Sequence, residues 1–223
     1  MLPLWNDVDN GVRVVRLTEA EEIDALIRLF ENIAAAESWQ PDGALRLWQN
    51  RSVYFALQLH GQIVGGLQLV LPDFVGMLPC QTVWPEVLLE PSSRCAHVAI
   101  LALDESARGL PLLFWRLSVE MWRYSVGEGI SSLFIEVTPR ILPIYRRLGW
   151  PLKVAGERRR HWGEDCYLCT LSVPEVAEAL LRRAEHSPYY REIIAQAFRV
   201  TLTTRDITGP GQVKESASLY AVC

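Results

Sequence analysis

Apolar and polar positions alternate at the start of the chain and change period where a helix should begin. Val12-Arg-Val-Val-Arg-Leu17 reads as a first strand. Thr18-x-x-Glu21 has the form of a capping box, in which a hydroxyl and a carboxylate each satisfy a free backbone N–H at a helix start. Ile23, Leu26, Ile27 and Phe30 fall at i, i+3, i+4 and i+7, so the spacing predicts one apolar helical face ending near Ala36. Ser52–Leu59 and Gln62–Leu71 read as strands joined by a His60-Gly61 turn, an antiparallel hairpin that Pro72 stops. Residues 73–94 show little periodicity and are broken by Pro79, Pro85 and Pro91. So long a connection is either functional or an apolar flap over the core, since it still holds Phe74, Met77, Trp84, Val87, Leu88 and Leu89.

Ala96–Leu103 is a nearly unbroken apolar run, the pattern of a central strand. Asp104–Gly109 turns the chain, and Pro111 suits the first turn of a helix. Trp115, Val119, Trp122 and Val126 give that helix a buried stripe, and Gly127 and Gly129 end it. Ser131–Val137 is the next strand. A short helix follows with Ile141, Ile144, Tyr145 and Leu148 on one face, confined by Pro143 and stopped by Gly149. Strands are expected near 152–155 and 163–172, helices near 174–185 and 188–197, and a strand-like Val200–Thr204. This order implies a mixed α/β (α+β) fold: a mostly antiparallel, twisted sheet with helices on both faces and extra carboxy-terminal helices. The 223 residues suit a single domain, with its core over 12–172, a helical extension over 173–198 and a tail over 199–223.

Half of the residues are hydrophobic and 22% are charged, which excludes a largely disordered chain. The formal net charge of −4 argues against a dedicated nucleic-acid binder. No apolar run approaches the roughly 20 residues of a membrane span, and Met1–Asp7 lacks the layout of a signal peptide, so a cytoplasmic protein is expected. The five cysteines are odd in number and scattered. Cys166 and Cys169 have C-x-x-C spacing but lie in a strand, where positions three apart face opposite ways. They read as structural, and no metal site is expected.

Ala96–Trp150 carries the chemistry. A buried strand leads through Arg108-Gly109 into an amphipathic helix, and a second strand leads into a helix bearing Tyr145-Arg-Arg-Leu-Gly-Trp150. This resembles the GNAT superfamily of acyltransferases, in which the first strand–turn–helix binds the pantetheine and pyrophosphate of a thioester donor. Unpaired N–H groups at a helix start favour an anion, and a glycine lets backbone approach a phosphate. Ser106-Ala-Arg-Gly109-Leu-Pro111 keeps one glycine of the superfamily turn and puts proline where a small residue is usual.

A narrower resemblance rests on Gly66-Leu-Gln-Leu-Val-Leu-Pro72, the proline-rich connection, Val137-Thr138, and Arg146-Arg-Leu-Gly-Trp-Pro-Leu-Lys-Val-Ala-Gly156. Over roughly residues 15–172 the chain is similar to acyl-homoserine-lactone (autoinducer) synthases and to long-chain N-acyl amino acid synthases. Both take acyl groups from acyl carrier protein or coenzyme A. Lactone synthases carry Glu-x-x-Arg on the central strand, where this chain has His97 and Ile100. They carry arginine three residues before the hairpin proline, where it has Leu69. With those charges missing, thioester acyl transfer is the better-supported implication than capture of S-adenosylmethionine.

Amide formation needs a neutral amine, a polarised carbonyl and a proton for the leaving thiolate. The resemblance makes Tyr145 the candidate general acid, and His97 and Glu136 rival candidates for the base. Packing alone also accounts for Tyr145 and His97. Backbone groups of Leu101 and Leu103 with Arg108, Gly109 and Thr138 are the donor-binding candidates, and Phe134, Trp150 and Trp84 the acyl-chain contacts. No covalently bound cofactor is expected. Arg146-Arg147 and Arg158-Arg-Arg160 either form a solvated face or dock the acidic acyl carrier protein. A homodimer is among the expected partners. The expected activity is transfer of an acyl group to an amine such as an amino acid or S-adenosylmethionine. Two alternatives stand beside it: acetyl transfer to a small amine, and a silent module that binds acyl thioesters or proteins.

Overall fold

Seven strands form one sheet: β1 (Val12–Leu17), β2 (Ser52–Leu59), β3 (Gln62–Val70), β4 (Cys95–Leu103), β5 (Ser132–Val137), β6 (Lys153–His161) and β7 (Glu164–Ser172). Six helices accompany them: α1 (Ala20–Ala36), α2 (Ala44–Leu47), α3 (Pro111–Gly127), α4 (Leu142–Arg147), α5 (Val173–His186) and α6 (Pro188–Phe198). The computed structural model describes residues 11–198 apart from 42, 90–93 and 110. The strand expected at 200–204 lies outside the described residues.

The strand order is β1-β2-β3-β4-β5-β7-β6. β4 and β5 are parallel, and every other neighbouring pair is antiparallel. A parallel pair needs a crossover, which α3 supplies. One face of the sheet, through Phe55, Leu67, Val98 and Ile135, packs on Trp115 and Trp122 of α3 and Leu180 of α5. On the other face α1 sets Leu26, Ile27 and Phe30 against Tyr54, Ala56, Ile100 and Ala102. Beyond α1, that same face is covered by Leu78, Cys80 and Trp84, which pack on Cys95, Phe134, Cys166 and Leu168. The irregular connection is therefore a flap over the core, with Phe74 and Leu88 left exposed. Cys166 and Cys169 fall in the clusters of opposite faces, as strand geometry requires.

Two expectations are corrected. The capping box at Thr18 does not form: the helix starts one residue later, on Glu19, with no side-chain cap, and the Thr18 hydroxyl donates to Glu19 instead. A lost cap costs about 1 kcal/mol. Burial of Leu26, Ile27 and Phe30 contributes roughly 1.5–3 kcal/mol each, so packing decides the helix. The short strand near 152–155 is in fact the nine-residue β6, whose charged Glu157–Arg160 run sits on the sheet edge and gives no hydrophobic alternation. Short helical turns at Ala44–Leu47 and Gln49–Arg51 precede β2 without a periodic signal.

Candidate active site

β4 and β5 pair only over Cys95–Val98 and Ser132–Ile135. Beyond that they diverge, because β4 follows β3 to Leu103 while Glu136 and Val137 of β5 follow β7. The divergence begins at a bulge. Opposite β3, Val98 pairs with Leu69 and Ile100 with Gln68, leaving Ala99 as an extra residue that bends β4. Asp104 N–H donates to Val64 O at 2.8 Å. By alternation, Ala102 and Ile100 turn their backbone groups toward β3, and Leu101 and Leu103 turn theirs to the open side. Arg108 Nε, donating to Leu103 O at 3.0 Å, marks that side.

The V between the strands opens a cavity of about 520 Å³. Phe114, Ile141, Ile144, Tyr145 and Leu148 wall it on the α3 face. Ile33, Trp39, His161, Trp162 and Glu164 wall it on the α1 face. Arg108 at the mouth is ion-paired to Glu37, just after α1, and Gly109 beside it has a positive φ of 84°. Arg140 also lines the mouth and has no partner among the described residues.

Tyr145 lies between Phe114 (ring centroids 5.5 Å, stacked) and Trp150 (5.1 Å). Burial pushes its phenol up to about 12, so it stays protonated across the neutral range. Its hydroxyl has no hydrogen-bond partner among the described residues. Thr138 closes the turn that leads into α4, its Oγ1 accepting from Ile141 N–H at 3.3 Å.

On the α1 face, Glu136 lies between two histidines. Its Oε2 is 2.5 Å from His161 Nδ1, and its Oε1 is 3.4 Å from His97 Nε2. The second contact is close enough for charge attraction but not aligned as a hydrogen bond. Side-chain exposure is 2% for His97, 11% for Glu136 and 19% for His161. Burial pushes the Glu136 carboxyl up, but the hydrogen bond from His161 and the proximity of both imidazoles outweigh it and bring the group down to about 2.

His161 of β6 reaches Glu136 of β5 although β7 lies between the two strands. Register shifts at Gly156 and before Arg159 curl the β6–β7 hairpin. Its two-residue turn, Trp162 and Gly163, has φ of 50° and 86°, the type I′ geometry that continues the strand twist. Gln40 N–H donates to Trp162 O at 3.0 Å and ties the hairpin tip over the cleft to the segment after α1.

Tyr145, Glu136, Leu101, Leu103, Arg108, Gly109 and Thr138 thus meet around one cavity. His97 is sealed beneath it, in edge contact with Trp48 at 6.4 Å. Phe134 and Trp84 lie in the core cluster behind the closed end, and Trp150 lies behind Tyr145. His161, Arg140 and Trp162 have no signal in the sequence that marks them for the site.

The model of the family "FeeM: N-acyl amino acid synthase FeeM" matches residues 41–172, more than half of the chain. The chain belongs to the FeeM family. It is an acyltransferase with the GNAT fold shared by autoinducer synthases. FeeM itself, an N-acyl amino acid synthase from uncultured soil microbes, superposes with a TM-score of 0.66 at 18% identity, covering 75% of this chain and 94% of FeeM. The acyl-homoserine-lactone synthase LasI gives 0.56 at 16% identity over 73% and 89% of the two chains. A GNAT-family protein from Desulfovibrio desulfuricans gives 0.52 at 15% identity over 73% and 99%. No curated protein sequence matches the chain. Among the described residues of this family member, no helix is long and apolar enough to cross a membrane.

Proposed function

We propose that the protein joins a long acyl group, carried as a pantetheine thioester on acyl carrier protein or coenzyme A, to the amino group of an amino acid. The observation that carries this reading is the divergence of β4 from β5 after Val98 and Ile135. An open strand edge presents unpaired N–H and C=O groups, and the amides of a pantetheine arm can pair with the N–H and C=O of Leu101 and the N–H of Leu103, whose carbonyl already accepts from Arg108. The cavity has the size of a small-molecule site, which spans roughly 300–1,000 Å³.

The two walls differ in chemistry, which assigns two approaches. The α3 side is apolar and holds Tyr145, so the donor lies there with its sulfur near the phenol. A phenol that stays protonated donates a hydrogen bond to the departing sulfur. Gly109 and the start of α3 suit the donor's phosphate, with Arg108 and Arg140 as nearby cations. The amine arrives from the α1 side, between Trp39 and Glu164, toward the Glu136 cluster. Thr138 fixes the turn that presents Arg140 and α4. Phe134 and Trp84, behind the closed end, limit the acyl chain, and Trp150 backs Tyr145. Coenzyme A is a donor with precedent in this fold, since BjaI is described as a CoA-dependent acyl-homoserine lactone synthase (TM-score 0.54). Arg146 and Arg159 do not serve mainly as a docking patch. Arg146 holds Leu152 O, Arg159 holds Val83 O and Glu86, and Arg158 pairs with Asp165, leaving chiefly Arg147 and Arg160 for a carrier protein.

The test is a panel of acyl-coenzyme A and acyl-carrier-protein donors against the common amino acids and S-adenosylmethionine, read by thiol release and product mass. Acceptor-dependent thiol release with an N-acyl amino acid product supports the reading. Thermal stabilisation by donor without turnover under any pairing identifies a binding module instead.

A further inference from the structure

We infer that His161 is the group that takes the acceptor amine's proton, through Nε2, with Glu136 as its positioning residue. This rests on the amide-forming function proposed for the site.

Three groups compete for that role. His97 is sealed away from the cavity, and neither of its ring nitrogens makes a hydrogen bond, so no proton path from the cleft ends on it. Glu136 lines the cavity, but its Oε2 is engaged by His161 and its Oε1 faces His97. A carboxylate stabilised in this way is a poor proton acceptor. His161 lines the same cavity and is the most exposed of the three.

The tautomer follows from the partner. An ionised carboxylate only accepts hydrogen bonds, so the 2.5 Å contact requires a proton on Nδ1. In the neutral ring, Nε2 then carries the lone pair, and it has no hydrogen-bond partner among the described residues. The ring plane is fixed by Trp84 at 6.1 Å, edge-on, and by Trp162 at 5.4 Å. A buried carboxylate on one nitrogen, with the other nitrogen open toward a reaction cleft, is the arrangement that orients an imidazole as a base and stabilises the imidazolium it becomes.

The step balances as follows. The amine nitrogen bonds to the thioester carbonyl carbon and the carbon–sulfur bond breaks. The surplus proton on nitrogen passes to His161 Nε2. The thiolate leaves hydrogen-bonded to Tyr145 and takes one proton from solvent, and the imidazolium returns one proton to solvent. Glu136 on β5 contacts His161, His97 on β4 lies beyond it, and Glu164 on β7 pairs opposite in the hairpin; Cys166 of β7 and Glu37, after α1, with its partner Arg108 line the same cavity, and Cys80 of the flap lies near Glu136.

The experiment compares wild type, His161→Gln, His161→Asn and Glu136→Gln with a donor–amino acid pair that the wild type turns over. Asparagine can still donate to Glu136 while lacking a basic nitrogen, and thermal unfolding checks that each variant is folded. Both His161 variants should lose about 10²–10⁴-fold in kcat with KM for the acceptor changed less than about threefold. The acid limb of the kcat/KM–pH profile should vanish in them, and imidazole should restore part of the rate of His161→Ala. In Glu136→Gln the limb should persist while kcat falls, because the amide oxygen can still accept the Nδ1–H but no longer balances the positive charge that develops on the ring. Unchanged kcat in either His161 variant, or an acid limb that survives in both, overturns the base role while leaving the transfer function standing. If the wild type turns over no pair in the panel, the transfer function and the base role fall together.

Discussion

Replacing Gly156 by alanine should destabilise the protein by forcing apart the flap and the strand that carries His161. Gly156 lies in β6 between two register shifts. An added Cβ would sit 2.4 Å from Trp84 Cδ1 and 3.0 Å from its Cγ and Nε1. Carbon atoms in contact prefer about 3.5–4.0 Å, so something must move by roughly 1 Å. Trp84 is fully buried against Leu168, Cys166 and Phe134 and cannot swing into solvent. Its Nε1–H also donates to Glu157 O at 2.6 Å, one residue from the clash. Overpacking costs about 1–3 kcal/mol. Stranding the buried indole N–H adds about 1–3 kcal/mol. A total of about 2–6 kcal/mol lowers Tm by roughly 4–24 °C in a chain of this size. Urea unfolding and calorimetry of wild type, Gly156→Ala, Trp84→Ala and the double variant measure it. Alanine withdraws the whole ring that the new methyl strikes, so the double variant should be more stable than the sum of the singles by at least about 1 kcal/mol. If Gly156→Ala lies within about 0.5 kcal/mol of wild type, or the two changes are additive, the contact does not hold β6 as described.

Tyr145→Phe should lower kcat by about 10²-fold while shifting stability by less than about 0.5 kcal/mol, since the ring stacking stays and the hydroxyl bonds nothing described; steady-state kinetics beside a melting curve checks both. Glu136 is held at about 2 against an ordinary 4.5, so the stability it contributes is complete above pH 4.5 and is lost as pH falls toward 2. Glu136→Gln should flatten that part of the stability–pH curve, and an unchanged acid slope in urea titrations would count against it. Arg140→Ala should raise KM for the donor about three- to tenfold and leave the acceptor KM alone. Phe134→Ala should shift the preferred donor to a longer acyl chain, read as relative kcat/KM across a chain-length series.

Most of the fold could be read from periodicity because its strands are either buried on both faces or paired in tight hairpins. Ala96–Leu103 and Ser131–Val137 are each found within one residue, since continuous apolar runs of that length leave no other element. The His60-Gly61 turn is equally plain, and its φ values of 50° and 82° show why: a type I′ turn favours glycine. β6 was cut short because an edge strand carrying Glu157-Arg-Arg-Arg160 has exposed residues on both faces and no period to detect. Thr18-x-x-Glu21 matched a cap by spacing alone, and the way the chain leaves β1 moved the helix start out of the hydroxyl's reach.

The same logic separates the parts of the site. Tyr145, Glu136 and the β4 edge are fixed by neighbours close in sequence: a strand, its turn and the helix that follows. His161 depends on three long-range facts. A bulge bends β4 away from β5, two register shifts curl β6 over β7, and a backbone hydrogen bond pins Trp162 to Gln40. None of these has a local signature except His161-Trp162-Gly163-Glu164, a two-residue hairpin turn flanked by polar residues where strand ends usually meet solvent. A histidine at the mouth of such a turn is unremarkable alone. It becomes informative once Glu136, an ionisable residue in the otherwise apolar run Leu133–Val137, is taken as a demand: a carboxylate sunk in a central strand must find donors, and the nearest histidines across the sheet are the ones to supply them. Glu136 therefore located the cluster, while the curl of the hairpin decided which of its two histidines faces the cleft.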